Sequence, residues 1–193
     1  MAFLRGVTQP HKGLVLIGNR ICLRAPQMSD YEQWAALRSA SEAFLKPWEP
    51  SWTAGELSRY SFRNRIRFYS RGAREGSSHA FFLVSRTTDQ LLGGLTLSNV
   101  RHGVIGSCSL GYWVGGTYAR QGYMTEAVRT VLPFVFKTLR LHRLEAACLP
   151  ENIASVGLLK KCGFSQEGVA RKYLQINGLW QDHLLFALLD EDY

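Results

Sequence analysis

The thirty residues from Ser109 to Thr138, SLGYWVGGTYARQGYMTEAVRTVLPFVFKT, constrain this chain more than any other stretch. Ser109 to Val114 is a short β-rich run, and Gly115-Gly116 breaks it. A polar turn follows to Gly122, and a helical pattern then begins, with apolar residues at Val128, Val131, Leu132, Val135, Phe136 and Leu139. That is the i, i+3, i+4, i+7 spacing of one helix face. A strand running through a glycine-bearing turn into a helix start gathers backbone N–H groups where a phosphate can sit. Arg120 can add charge there, and Gly122 permits close approach of a ligand. The segment has neither the Lys-Ser/Thr ending of a nucleotide P-loop nor the G-x-G-x-x-G of a dinucleotide turn. Taken alone it is compatible with phosphate binding and with a plain strand–turn–helix connection.

The rest of the chain supplies the frame. Leu14 to Ile17 and Ile21 to Arg24 read as strands around a Gly18-Asn19 turn. Ser29 and Glu32 have the spacing of a capping box for a helix reaching Ser39, with Trp34 and Leu37 inward. Glu56 to Gly72 is an amphipathic helix with Leu57, Tyr60, Ile66 and Phe68 or Tyr69 available for its inner face. Ala80 to Ser85, Leu91 to Val100 and Ser107 to Val114 form a meander. Pro133 should kink the central helix, because it cannot donate to the Arg129 carbonyl. Leu144 to Leu149 is a strand, and Asn152 to Gly163 brackets a further helix. Ser165 to Ile176 and Leu179 to Leu189 form a hairpin around Asn177-Gly178. The expected fold is therefore one mixed α/β (α+β) domain from residue 14 to 193, preceded by a flexible arm over 1–13, with helices on both faces of a mostly antiparallel sheet.

A net charge of +8 favours acidic partners, among them phosphorylated cofactors, nucleic acid and an RNA-rich particle. The bland alternative is a basic surface that serves solubility. Six arginines, at 59, 63, 65, 67, 71 and 74, lie in or beside the 56–72 helix. They read either as a solvated face or as a contact for RNA phosphates or an acidic substrate. Cys22, Cys108, Cys148 and Cys162 are scattered without C-x-x-C spacing, so buried apolar roles are expected and no metal site. No leader-like or membrane-spanning run is present in the sequence, which points to a reduced, cytoplasmic setting. The stretch Phe44 to Trp52 is irregular, with two prolines, two tryptophans and Glu49, a composition suited either to the wall of a cleft or to a loop that its tryptophans pin to the core.

FLKPWEP (44–50), LGYWV (110–114), GYMTEA (122–127), PENIAS (150–155), LLKKCGF (158–164) and INGLWQDHLL (176–185) together resemble the GCN5-related N-acetyltransferases (GNAT superfamily), in their ribosomal-protein N-terminal branch. The likeness spans nearly the whole chain. It implies acetyl-CoA as co-substrate, no metal, and transfer of acetyl to an amine, foremost a protein N-terminus such as that of a ribosomal-protein alanine. It also implies a V-shaped splay between the fourth and fifth strands of that fold, here between 110–114 and 144–149, with the pantetheine arm in the gap and the pyrophosphate on the turn 119–124. The family's turn motif, Gln/Arg-x-x-Gly-x-Gly/Ala, is only partly kept: Ala119 stands first, Met124 last, and Gly122 is in place.

Carried over residue by residue, the cofactor set is Tyr112, Trp113, Val114, Arg120, Gln121, Gly122, Tyr123, Met124, Thr125, Asn152 and Ser155. The acceptor set is Trp48, Glu49 and Trp52. Backbone N–H near Val114 would polarise the thioester, Ser155 would donate to the departing sulfur, and Glu49, then Asp182, are the candidate bases. His183 is a further candidate, although a histidine in a strand is more often structural. Asn152 and Ser155 read equally as cap and first-turn residues. An α-amine titrates near 8, so roughly a tenth is neutral at pH 7, against below about one in a thousand for a lysine. A mild base is enough for an N-terminal acceptor. Two rival functions remain open: acetylation of a small amine, which the positive charge disfavours, and a non-catalytic ribosome-assembly role with ribosomal RNA contacted through Arg59 to Arg74.

Overall fold

Strands whose residues are apolar without alternation must be covered on both faces. AFFLV in Ala80 to Val84 and LLGGL in Leu91 to Leu95 are such runs, and both lie buried at the centre of one eight-stranded sheet in a computed structural model that describes residues 13–193. The expected arm, apart from Gly13, lies outside the described residues. The strands are β1 (Val15–Ile17), β2 (Ile21–Arg24), β3 (His79–Ser85), β4 (Leu91–Arg101), β5 (Ser107–Val114), β6 (Arg143–Cys148), β7 (Ser165–Ile176) and β8 (Leu179–Leu189), in the order β1-β2-β3-β4-β5-β6-β8-β7.

The period-2 geometry of the strands sorts their side chains between two cores. Phe81 and Leu83 join Leu95, Leu97, Leu110 and Leu144 beneath helix α4 (Tyr123–Pro133) and helix α5 (Ile153–Lys161). Phe82 and Val84 point the other way, to Trp34 of α1 (Tyr31–Ala40) and Phe62 of α3 (Arg59–Glu75). Phe62 is fully buried, its ring 4.7 Å from Trp34 and 5.7 Å from Tyr31. A short helix, α2 (Glu42–Leu45), and a 3₁₀ turn (Lys46–Trp48) carry the chain away from α1.

One junction in the sheet differs from the rest. Every neighbouring pair is antiparallel except β5 and β6, which are parallel and joined through α4. Their pairing runs only from Ser107↔Arg143 to Leu110↔Ala146. β5 then continues to Val114 and β6 to Cys148 without pairing to each other, and β6 follows β8 instead. This is the expected splay, between the fifth and sixth strands in this chain's own count.

Three local readings need correction. Ser29 does not cap α1. A 3₁₀ turn over Met28–Asp30 precedes the helix, where the Asp30 carboxylate accepts from Gln27 N–H at 2.7 Å and pairs with Arg24. Helix α3 begins three residues later than expected, at the Ser58 cap, whose hydroxyl accepts from Ser61 N–H, and it ends at left-handed Gly76. Its inner face is Phe62 and Ile66, while Tyr60 and Phe68 point outward at 72% and 68% exposure. The Pro133 expectation holds: α4 stops there and a wider π-helical turn, Phe134–Thr138, takes over. The terminal hairpin also forms as read, with Asn177 and Gly178 both at positive φ, as a two-residue I′ turn requires.

Candidate active site

The splay leaves backbone groups without a strand partner. Gly115 N–H donates to the Leu92 carbonyl on β4. Antiparallel alternation then sends the N–H and C=O of Tyr112 and Val114 toward the opposite, open side. Side chains alternate as well. Tyr112 faces α5, where its hydroxyl meets Ser155 Oγ at 2.6 Å. Burial keeps the Tyr112 phenol neutral, well above its usual range, against the smaller opposing pull of the Ser155 hydrogen bond. Ser155 is fixed by the start of its own helix, since its N–H donates to Asn152 Oδ1 at 3.1 Å. Asn152 is therefore a true cap, with its amide N–H₂ left to donate elsewhere. Cys148 lies beside Ser155; burial pushes its thiol up, and the Ser155 hydroxyl offsets part of that.

At the far end of β5 lies the turn. Gly115 and Gly116 sit tightly against α1 and α2: a Cβ on Gly115 would lie 2.4 Å from Leu37 Cδ1, and Gly116 N–H donates to buried Ser41 Oγ at 2.9 Å. Arg120 (φ 61°) and Gly122 (φ 81°) both take left-handed backbone, turning the chain into α4. The Gln121 side chain donates to the Thr117 carbonyl and so closes the turn. Met124 is buried, which leaves its N–H as the group it can offer outward. The first N–H groups of α4 have no partner within the helix, so the turn keeps its capacity for an anion despite the altered motif.

The cation at this turn comes from a residue the sequence reading missed. Arg20, in the β1–β2 turn, donates from Nη1 to the Gln121 carbonyl at 3.1 Å, lies 4.5 Å over the Tyr123 ring, and pairs through Nε with Glu126 at 2.8 Å. Burial works against the Glu126 carboxylate, but the backbone N–H and guanidinium of Arg20 and the Ile21 N–H outweigh it and hold the group below the usual range. Arg20, Gly122, Thr125, Glu126, Arg129 and Lys161 line a depression of about 500 Å³ with three cations and one carboxylate. Its charge suits phosphates, and its wall is the open edge of the turn.

The other face of β5 carries a second assembly. Trp113 lies against Gly94, where a Cβ would come within 2.4 Å of the indole Nε1. The Arg38 guanidinium sits 5.0 Å over Trp113 and 4.5 Å over Trp52. It grips Glu49 with both arms, Nη1 to Oε1 at 2.7 Å and Nη2 to Oε2 at 2.6 Å, while Trp52 Nε1 donates to Oε2 at 2.9 Å. Three of the carboxylate's roughly four acceptor positions are filled, leaving one on Oε1. The Glu49 carbonyl accepts from Asn177 N–H at 3.0 Å, so the tip of the terminal hairpin is tied to this loop. Trp48 is partly exposed at the loop's edge.

Asp182 and His183 have local partners instead. Asp182 Oδ1 accepts from Lys172 N–H at the irregularity in the β7–β8 ladder. His183 is buried, with Nδ1 against the Gln181 carbonyl and its ring beside Tyr173. Among the described residues, no group of three or more His, Cys, Asp or Glu is placed to hold a metal ion. No helix there is long and apolar enough to cross a membrane.

The arrangement is a slot between diverging strands, with backbone donors and a Tyr–Ser hydroxyl pair on one face and an aromatic, charged wall on the other. Comparison with known proteins agrees with this geometry. Residues 20–165 match the family described as Acetyltransferase (GNAT) domain. The probable N-acetyltransferase YjcK of Bacillus subtilis is 32% identical, over 92% of this chain and 98% of that protein. The [ribosomal protein uS5]-alanine N-acetyltransferase of Escherichia coli is also 32% identical, over 92% of both. The structure of Mycobacterium smegmatis RimJ in complex with CoA-disulfide superposes with a TM-score of 0.89 at 31% identity, covering 94% of this chain and 90% of that one. The chain belongs to the GNAT family of acetyl-CoA-dependent N-acetyltransferases.

Proposed function

We propose that this enzyme acetylates the N-terminal α-amine of a protein, of the ribosomal-protein-alanine type, in a ternary complex with acetyl-CoA. The observation that carries the reading is the two-sided slot at the β5–β6 splay: the Tyr112–Ser155 pair on the α5 face, and the Trp113–Arg38–Glu49–Trp52 wall on the α1 face. The relatives named above support the acceptor class. Such an acceptor and acetyl-CoA would meet in the cytoplasm.

Acetyl-CoA supplies an activated thioester. The outward N–H and C=O groups of Tyr112 and Val114 hold the pantetheine amides, and Val114 N–H faces the thioester oxygen, where negative charge grows during attack. The turn from Ala119 to Thr125 receives the pyrophosphate on backbone N–H groups, with Arg20 as the nearby fixed cation and Arg120 exposed on its rim. Asn152 holds Ser155 in place; Ser155 gives a proton to the sulfur as the C–S bond breaks, and the proton shed by the acceptor nitrogen returns to the Tyr112–Ser155 hydroxyl pair, so both hydroxyls end neutral. Glu49 is tied to Arg38 and Trp52, so its role here is to orient: the free position on Oε1 accepts a hydrogen bond from the acceptor amine or its water. Since roughly a tenth of an α-amine is already neutral at pH 7, no stronger base is required. Trp48 and Trp52 flank the entering chain. Asp182 and His183 shape the hairpin that supports the Glu49 loop.

The test uses two peptides and intact mass. One begins with a free Ala and has no lysine; the other has a blocked N-terminus and an internal lysine. Incubated with acetyl-CoA and enzyme, the first gains one acetyl group and the second none. Acetylation of the second alone overturns the α-amine reading, and modification of neither, with acetyl-CoA still bound, moves the acceptor to a small amine.

A further inference from the structure

The outer face of α3 takes no part in the slot described above. Helix α3 spans Arg59–Glu75 and contains six arginines and one glutamate, a net +5 out of the chain's +8. Arg59, Arg63, Arg67 and Arg71 follow one another at i, i+4, and all four are exposed. Each step is about 6 Å along the axis, so the row covers roughly 18 Å. Like charges at this spacing repel and destabilise an isolated helix. Little opposes them. Arg59 reaches Glu32 at 3.3 Å, with both side chains more than half exposed, and Arg65 turns to Glu56; among the described residues Arg63, Arg67, Arg71 and Arg74 have no ion pair. Tyr60 and Phe68 stand exposed beside the row.

We infer that this face is a docking surface for RNA, presented by the particle that carries the acceptor. A line of evenly spaced arginines with exposed aromatic rings matches a chain of phosphates flanked by bases. An anionic membrane fits less well, because a surface helix binds lipid through a free apolar face, and that of α3 is spent: Phe62 and Ile66 pack on Trp34 and Phe82. The location also serves the reaction. α3 lies on the same side of the sheet as α1, Arg38 and Trp113, so RNA bound there holds a neighbouring protein N-terminus at the acceptor side of the slot. The inference rests on the ribosomal-protein reading for its choice of RNA.

The experiment measures fluorescence anisotropy of a short labelled RNA hairpin with the full chain, without acetyl-CoA, between roughly 50 and 200 mM salt. The variant is Arg63→Gln/Arg67→Gln/Arg71→Gln. Three lost phosphate contacts lower the slope of log affinity against log salt by about 2–3 and weaken binding at least about tenfold at the low-salt end. Acetylation of a free peptide stays within about twofold, since none of the three residues lies in the slot, and the thermal midpoint shows that the variant is folded. Equal affinity and equal slope for wild type and variant overturn the inference. So does equally tight binding of phosphatidylserine vesicles or polyglutamate. If RNA binding depends on the arginines while no α-amine is acetylated, the surface stands and the acceptor reading falls.

Discussion

Replacing Arg38 by Met removes the cation that joins Glu49, Trp52 and Trp113 in the proposed acceptor wall. Arg38 is 9% exposed in its side chain and Glu49 20%. Breaking a fully buried pair costs about 3–5 kcal/mol, because the remaining charge is left unpaired. The partial exposure of Glu49 and its surviving bond from Trp52 put this case at the lower end, about 3 kcal/mol. Loss of the two cation–π contacts adds about 1 kcal/mol, which the Met sulfur on the same two indoles largely restores. For a chain of 193 residues the resulting fall in melting temperature is about 6–12 °C. The penalty belongs to the orphaned carboxylate, so Arg38→Met/Glu49→Leu should be more stable than Arg38→Met alone, with a coupling of about 2 kcal/mol in a thermal or urea double-mutant cycle. Turnover of the Ala-peptide should fall at least about tenfold in Arg38→Met, while the CoA dissociation constant changes less than about threefold. A coupling below about 0.5 kcal/mol, the limit for independent sites, would refute the claim that Arg38 and Glu49 act as one unit.

Three further outcomes follow from the geometry. Ser155→Ala should lower kcat about 10–100-fold, the modest end for a general acid because a thiolate leaves readily, and adding Tyr112→Phe should lower it no further, as read by single-turnover acetylation. Arg20→Met should weaken CoA by about five- to tenfold in calorimetric titration, because the half-exposed cation at the turn is lost and the Glu126 carboxylate is freed beside the phosphates. His79 is pushed below its usual range by burial, with Nε2 unpartnered and the ring edge-on to Phe134 at 5.0 Å. A histidine kept neutral by the fold contributes stability that is full above its unfolded value near 6.5 and declines as pH falls below it. His79→Phe should therefore flatten the dependence of melting temperature on pH between about 6.5 and 5.

The elements that repeat a pattern were legible from sequence. The meander strands β3 and β4, the hairpin at Asn177-Gly178 and a disturbance of the central helix at Pro133 were all expected, because each signal acts within a few residues; that α4 stops at Pro133 and gives way to a π-helical turn was not. Side-chain direction on α3 was less legible. Aromatic residues there looked like core, yet Phe62 fills that place and Tyr60 and Phe68 face out, since only the register of the packed helix decides which aromatic is buried. The partners of site residues were not legible at all. Glu49 read as a free carboxylate in a cleft, but Arg38, eleven positions earlier on helix α1, fills half of its acceptor positions and Trp52 a third one. Arg20 lies 106 positions from Glu126, and no local spacing links them. The departure at Ala119 from the usual turn motif was the available hint that a cation had to come from elsewhere.

The central claim is that the gap between β5 and β6 receives the arm of acetyl-CoA on the backbone of Tyr112 and Val114. Amide hydrogen exchange, read at single residues with and without saturating acetyl-CoA, tests it directly. The account predicts that the Tyr112 and Val114 amides, with those of Gly122 to Thr125, slow by roughly tenfold or more, while β7 and the outer face of α3 are unchanged. Exchange at Tyr112 and Val114 that is the same with and without ligand, under conditions where binding is shown by calorimetry, would contradict it.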